Sequence, residues 1–290
     1  MIELWNEFSF IAAEAATVGG NVLQEFFRKV DPASIEAKKV NDWVSAADHA
    51  SEKAIINYLK EKVPHHGIYS EEAGYLPPSD KDGNYCWIID PLDGTTNFLR
   101  GFPLWAVSVG LECRPDKRQK WGEIVAGSVA VPPTGELFRA AKGSGAFRNG
   151  KKILIGEGHD LRQSLLGTGF PFKVPHLLNH HLEIFSNILS KCADVRRPGA
   201  AAVDLCYTAM GVYDGFWEFD LFPWDVAAGS LMIMEAGGIV SGITGELDYT
   251  TTGDILTANP RIYNELLGIT KSKLANLLLP RPIDKGPKRD

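Results

Sequence analysis

Trp87-Ile88-Ile89-Asp90-Pro91-Leu92-Asp93-Gly94-Thr95-Thr96-Asn97 is the stretch whose reading decides the fold. The apolar run that opens it reads as the end of a buried strand. Asp90 and Asp93 follow three residues apart, with Pro91 fixing the turn between them. Gly94 stands where a backbone takes positive φ or approaches a ligand closely. Thr95 and Thr96 are placed to cap a short helix whose free N–H groups face forward. Carboxylates and an anion-seeking helix start, packed into so few residues, point to a phosphate site bridged by a divalent metal. An Asp-Pro turn followed by an ordinary N-cap is the plainer reading of this stretch taken alone.

Working outward, the 290 residues suffice for one large domain or two small ones. With 44% hydrophobic and 23% charged residues, the composition is that of a globular protein and excludes a disordered or fibrous chain. A formal charge of −6 gives no basic footprint, so no nucleic-acid partner is expected. No apolar run reaches the length of a membrane span, and Met1-Ile2-Glu3-Leu4 lacks the features of a signal peptide. Cys86, Cys113, Cys192 and Cys206 show no C-x-x-C spacing. They read as reduced thiols of a cytoplasmic protein and not as a zinc site.

Before the central stretch, apolar residues recurring every three or four positions from Leu4 to Phe26 predict an amphipathic helix, stopped by Asp31-Pro32. A short strand over 35–39 follows, then a second helix that carries Asp48 in its first turn and stops near Pro64. Ile68-Tyr69 reads as a strand leading into Ser70-Glu71-Glu72-Ala73-Gly74, where two acids sit one loop ahead of the central stretch. The segment 77–84 reads as a loop. Beyond it, runs at 105–111, 123–131 and 136–141 form an antiparallel meander, and Gly143-Ser144-Gly145 reads as a tight turn. A strand at 165–168 ends at Gly169-Phe170-Pro171-Phe172 and precedes a helix from Pro175 to about Cys192. Its His176, His180 and His181 include an i, i+4 pair but lack the acid pattern of a zinc helix, and they read as a solvated face. An Ala-rich helix over 200–211 and a strand over 213–218 come next. Pro223-Trp224-Asp225 then opens a helix expected to be strongly amphipathic, with Trp224, Ala228, Leu231 and Met234 on one side. Gly237-Gly238 ends it, and two strands and a last helix from Pro260 complete a single domain over 1–279. The tail 280–290 is expected to be disordered.

Glu71, Asp90, Asp93 and Asp225 thus fall at element ends beside glycine or proline, where several carboxylates suit magnesium. Here the chain resembles the inositol monophosphatase family. The resemblance is carried by the 87–97 stretch and by Trp224-Asp225-Val226-Ala227-Ala228-Gly229-Ser230 with Glu235-Ala236-Gly237-Gly238, and it spans roughly residues 4 to 270. It implies an α+β fold, a layered αβαβα sandwich of the inositol monophosphatase and fructose-1,6-bisphosphatase type, usually as a homodimer. It implies two or three magnesium ions per site. Glu71, Asp90 and the Leu92 carbonyl would bind one ion, and Asp90, Asp93 and Asp225 another. Thr95, hydrogen-bonded to Asp48, would deprotonate a water activated beside Glu71. The N–H groups of Gly94 and Thr95 would hold phosphate oxygens, and Ala201 and Glu218 would contact the alcohol portion.

The activity implied is magnesium-dependent, lithium-sensitive hydrolysis of a small phosphorylated substrate, inositol 1-phosphate first. Fructose 1,6-bisphosphate, histidinol phosphate and a nucleotide 3′-phosphate are alternatives, as is a regulatory binding protein that keeps the fold. Many relatives carry Ser or Thr where this chain has Ala200, and some carry a basic residue where it has Phe222-Pro223. Both departures make the alcohol pocket more apolar, whereas Glu218 suits a polyol.

Overall fold

The computed structural model describes residues 1–29, 36–39, 42–80, 83–116 and 118–274. The expected helix stop at Asp31-Pro32, Ile35, part of the 77–84 loop and the 280–290 tail lie outside the described residues. Apolar spacing makes α1 (Ile2–Phe26) bury Phe8, Ala12, Ala16 and Leu23 on one face. It packs on α2 (Ala46–Lys62), and β1 (Glu36–Lys39) pairs with β2 (Asp42–Val44) between them in sequence. A capping box starts α2: Ser45 Oγ accepts from Ala47 N at 3.2 Å, and Asp48 Oδ2 accepts from Ser45 N at 3.0 Å and Ser45 Oγ at 2.7 Å.

The first sheet takes its eight strands in sequence from β3 (Gly67–Ser70), β4 (Gly74–Leu76), β5 (Tyr85–Asp93), β6 (Ala106–Cys113), β7 (Glu123–Val131), β8 (Glu136–Ala141), β9 (Gly145–Arg148) and β10 (Lys151–Ile153). Their spatial order is β10-β9-β8-β7-β6-β5-β3-β4, a meander closed at one edge by the parallel β3–β5 pair. The short α3 (Thr95–Leu99) leaves the end of β5. The second sheet contains β11 (Leu165–Thr168), β12 (Asp194–Arg196), β13 (Gly215–Glu218), β14 (Ile239–Ser241) and β15 (Ile255–Ala258), ordered β12-β11-β13-β15-β14. The remaining helices are α4 (Pro175–Leu189), α5 (Ala201–Ala209), α6 (Pro223–Glu235), α7 (Tyr249–Thr252) and α8 (Pro260–Leu274).

Three apolar layers hold these elements together. Phe8, Leu23 and Ile55 of α1 and α2 pack on Trp87, Ile89 and Val107 of the first sheet. Val203, Leu205, Leu231 and Ile233 of α5 and α6 join Ile88, Val129 and Phe138 to Phe216 and Ile255 of the other sheet. Ile184, Ile188, Leu266 and Ile269 of α4 and α8 cover the outer face of the second sheet around Trp217 and Leu256. The order is therefore αβαβα, as the family resemblance implies.

Three local expectations are corrected. First, α6 is not strongly amphipathic: it lies between two sheets, so Val226 through Ile233 are buried on every side, while Met234 is 44% exposed. Second, β5 does not end at Ile89 but continues through Asp93, with a register shift against β6 between Asp90 and Asp93. Asp90 pairs with Ser108 and Asp93 with Ala106, so one extra residue is accommodated on β5 as a bulge. Third, Thr95 is the first helical residue, and the cap is Gly94 in the left-handed region at φ +84° with no side-chain capping bond.

Candidate active site

The bulge of β5, the β3–β4 turn, and the starts of α3, α5 and α6 meet at the edge between the two sheets. They enclose a cavity of about 400 Å³ lined by Glu71, Asp90, Leu92, Asp93, Gly94, Thr95, Ala201, Glu218 and Asp225. Every site residue expected from the sequence is on its wall except Asp48. The carboxyls of Asp90, Asp93 and Asp225 are each held by a backbone N–H. Asp90 Oδ1 accepts from Leu92 N at 2.9 Å, within the bulge. Asp93 Oδ2 accepts from Ala202 N at 2.8 Å, joining β5 to the start of α5. Asp225 Oδ2 accepts from Phe222 N at 2.6 Å, across the first turn of α6. The Glu71 N–H donates to Ile89 O at 3.2 Å, fixing the β3–β4 turn against β5.

Asp48 and Thr95 do not meet as expected. Asp48 is buried and its Oδ2 serves the Ser45 cap, while Thr95 Oγ1 donates to Leu92 O at 3.1 Å. Both of those bonds to the Asp48 carboxyl fall on Oδ2, and neither comes from Thr95. His176 is exposed and His180 half-buried on α4, and neither lines the cavity. His181, expected on the same solvated face, is instead fully buried among Phe170, Phe185, Trp217 and Phe219, because α4 turns that side onto the second sheet. Gly143 and Gly145 donate their N–H groups to Glu235, so that turn is structural.

Several wall residues have no site role in the sequence reading, although Asn97 and the Gly169–Phe172 turn lie in stretches it singles out. Asn97 Nδ2 donates to Leu104 O at 2.8 Å and Pro198 O at 3.0 Å, tying α3 to the loop before α5. Phe170, Phe172, Lys173 and Arg197 form the outer wall, with the Arg197 guanidinium 5.9 Å from the Phe170 ring centroid and 5.6 Å from that of Phe172. The aromatic-proline run 170–172 was the available signal.

Burial, followed by the charges of Glu71, Asp225 and Asp93, holds the Asp90 carboxyl well above the ordinary range. Burial and then Asp225 push Asp93 up to about 7, against the hydrogen bonds from α5. Burial pushes Glu218 up to about 8, with Arg197 pulling the other way. Asp48 is raised to about 6, again chiefly by burial. Among the described residues, no three His, Cys, Asp or Glu side chains form a ready-made metal cage. The donor set is instead an open, oxygen-only group in which the buried Asp90 and Asp93 face the half-buried Glu71 and Asp225, carboxyls that repel one another. That chemistry fits magnesium, which keeps water and substrate oxygens among its ligands instead of filling an all-protein cage. No helix among the described residues is long and apolar enough to cross a membrane.

A family model described as the inositol monophosphatase family matches residues 4–275. The protein called Nus factor SuhB in Escherichia coli K12 is 40% identical over 268 residues, covering 92% of this chain and 97% of that one. Among solved structures, the extragenic suppressor protein SuhB of Bartonella henselae superposes with a TM-score of 0.82 at 36% identity, covering 90% of this chain and 97% of that one. An inositol monophosphatase from Anabaena (Nostoc) sp. PCC 7120 gives a TM-score of 0.78 at 36% identity, covering 92% and 96%.

Proposed function

The chain belongs to the inositol monophosphatase family, and from that membership we propose that it is a magnesium-dependent phosphomonoesterase acting on a small polyol phosphate, inositol 1-phosphate first. The observation that carries the reading is the gathering of Glu71, Asp90, Asp93 and Asp225 on one cavity wall beside the Gly94–Thr95 backbone. Glu71, Asp90 and the Leu92 carbonyl would hold one magnesium and Asp90, Asp93 and Asp225 a second, and the bound ions would neutralise phosphate and bring the pKa of a water towards ~7.

The chain's own groups do the rest. Gly94, at φ +84°, turns the backbone so that its N–H and that of Thr95 start α3, and these would take phosphate oxygens. For Thr95 to pass a proton to Asp48, its hydroxyl must leave the Leu92 carbonyl on which it rests. Burial raises the Glu218 carboxyl, whose oxygens would hydrogen-bond to the hydroxyls of a polyol. Phe170, Phe172 and Phe222 would shield the alcohol portion from water. A homodimer belongs to the same proposal and is checked by analytical ultracentrifugation.

Phosphate release from inositol 1-phosphate, fructose 1,6-bisphosphate, histidinol phosphate and a nucleotide 3′-phosphate, each with magnesium and with chelator, tests the reading. Release that persists in excess chelator would overturn it.

The relatives' name, Nus factor, favours a second reading in which the fold also serves as a binding factor. The expectation of no nucleic-acid partner rests on the net charge of −6 alone, and that name weighs against it. A catalytically dead Asp93→Asn protein that still complements loss of the gene would support the second reading.

A further inference from the structure

We propose that Ser51 and Glu52, neighbours on α2, are positioning residues that set the spacing between the two carboxylate-bearing segments of the site. The inference rests on the magnesium reading above. Glu52 is only 6% exposed, and one oxygen, Oε1, accepts from Ser70 Oγ at 2.5 Å, Glu72 N at 3.0 Å and Ala73 N at 3.0 Å. These donors lie on both sides of Glu71, and the Glu71 N–H itself is taken by Ile89 O. The turn is therefore gripped from the helix on one side and from β5 on the other. Ser51 is fully buried, and its Oγ donates to Pro91 O at 2.9 Å, the carbonyl between Asp90 and Leu92.

Two consecutive residues of one helix thus hold the Glu71 turn and the Asp90–Asp93 bulge to a common frame. Neither side chain lines the cavity, so neither touches substrate. Burying a carboxyl is costly unless it is well bonded, and three donors on one oxygen are a strong clamp. Groups that orient ligands from behind affect metal affinity by about 10–100-fold. Mutual repulsion of the carboxyls would otherwise splay the two segments apart in the metal-free protein, and the clamp resists that.

The test is a calorimetric titration of the full chain with magnesium alone, paired with thermal melts in chelator. Glu52→Ala should weaken magnesium binding by about 10–100-fold. Glu52→Gln keeps an acceptor oxygen for the same donors and should recover most of that loss. A Glu52→Ala protein that melts lower in chelator yet binds magnesium as tightly as the unmutated chain would overturn the proposal, leaving Glu52 as structural support only. Should Glu52→Ala not fold, Ser51→Ala removes a single hydrogen bond and should weaken binding by about three- to tenfold. Unchanged affinity there would overturn the proposal equally. If the unmutated protein binds no magnesium, the proposed function fails first and takes this inference with it, so the two failures are told apart.

Discussion

A methyl group on Gly169 would lie 1.9 Å from Glu218 Oε1 and 2.2 Å from Oε2. The bare glycine is what lets the Glu218 carboxyl lie against the backbone at the end of β11. The obstructed atoms are the tip of a flexible side chain, so Gly169→Ala should fold, with the carboxyl displaced. Its KM for inositol 1-phosphate should rise about ten- to a hundredfold, while hydrolysis of p-nitrophenyl phosphate, which has no hydroxyls to offer, changes little. Equal losses on both substrates would assign Glu218 to the chemistry instead. Asp93→Asn isolates a different role. The amide oxygen can still accept from Ala202 N, so the join between β5 and α5 survives. Activity should fall more than about a hundredfold, because a ligand matters more than the groups behind it. Burial and Asp225 already disfavour the Asp93 charge, so the melting temperature in chelator should hold or rise. A large drop would make Asp93 a structural residue.

Between elements, the tightest place is the crossing of α5 and α6. A Cβ on Gly229 would meet Leu205 Cβ at 2.5 Å, and both helices are pinned between sheets. Gly229→Ala should cost about 1–3 kcal/mol in denaturant unfolding, since neither helix can retreat. A change near zero would mean that α5 slides. The same sandwiching explains why α6 misled a reading by periodicity: a helix buried on both faces has no polar side to reveal it. The strands β6, β7 and β8 were legible because glycine and proline turns punctuate them. The three-residue β10 and β12 carry too few residues for alternation to register. In the site, Glu71, Asp90, Asp93 and Asp225 stood out because turn residues mark where elements end, though their roles came from the family resemblance. Ser51 and Glu52 did not stand out, because their partners lie 40 and 18 residues away and no local pattern links them. The Thr95–Asp48 pair was expected from the resemblance, whereas Asp48 bonds to Ser45 and the Thr95 hydroxyl to the Leu92 carbonyl.

For the molecule as a whole, the raised carboxyls govern how stability depends on pH. Glu218 moves from 4.5 to about 8 on folding and Asp93 from 3.8 to about 7, so the folded state keeps protons that the unfolded chain has released. Their contribution is full below the unfolded values and is lost as pH rises through the folded ones. Half-buried His66 and buried His181 are lowered from 6.5 to about 4 and oppose this trend below 6.5, where the unfolded chain takes up protons that they refuse. Burial raises Asp48, Asp90 and Asp204 as well, so the carboxyls outnumber the two histidines, and in chelator the melting temperature should fall as pH rises from 4.5 to about 8. Magnesium should lessen the decline, and a flat profile in chelator would mean that the carboxyls are already ionised. The chain order also divides the site. The first sheet is finished at Ile153 and the second begins at Leu165. A cut in that connector would leave Glu71, Asp90, Asp93 and Thr95 on one piece, and Ala201, Glu218 and Asp225 on the other. The apolar layer around α5 and α6 is the surface on which the pieces would dock. Neither half would own a working centre, so phosphate release from the mixture would act as a coincidence signal, sounding only when both fragments are present and joined.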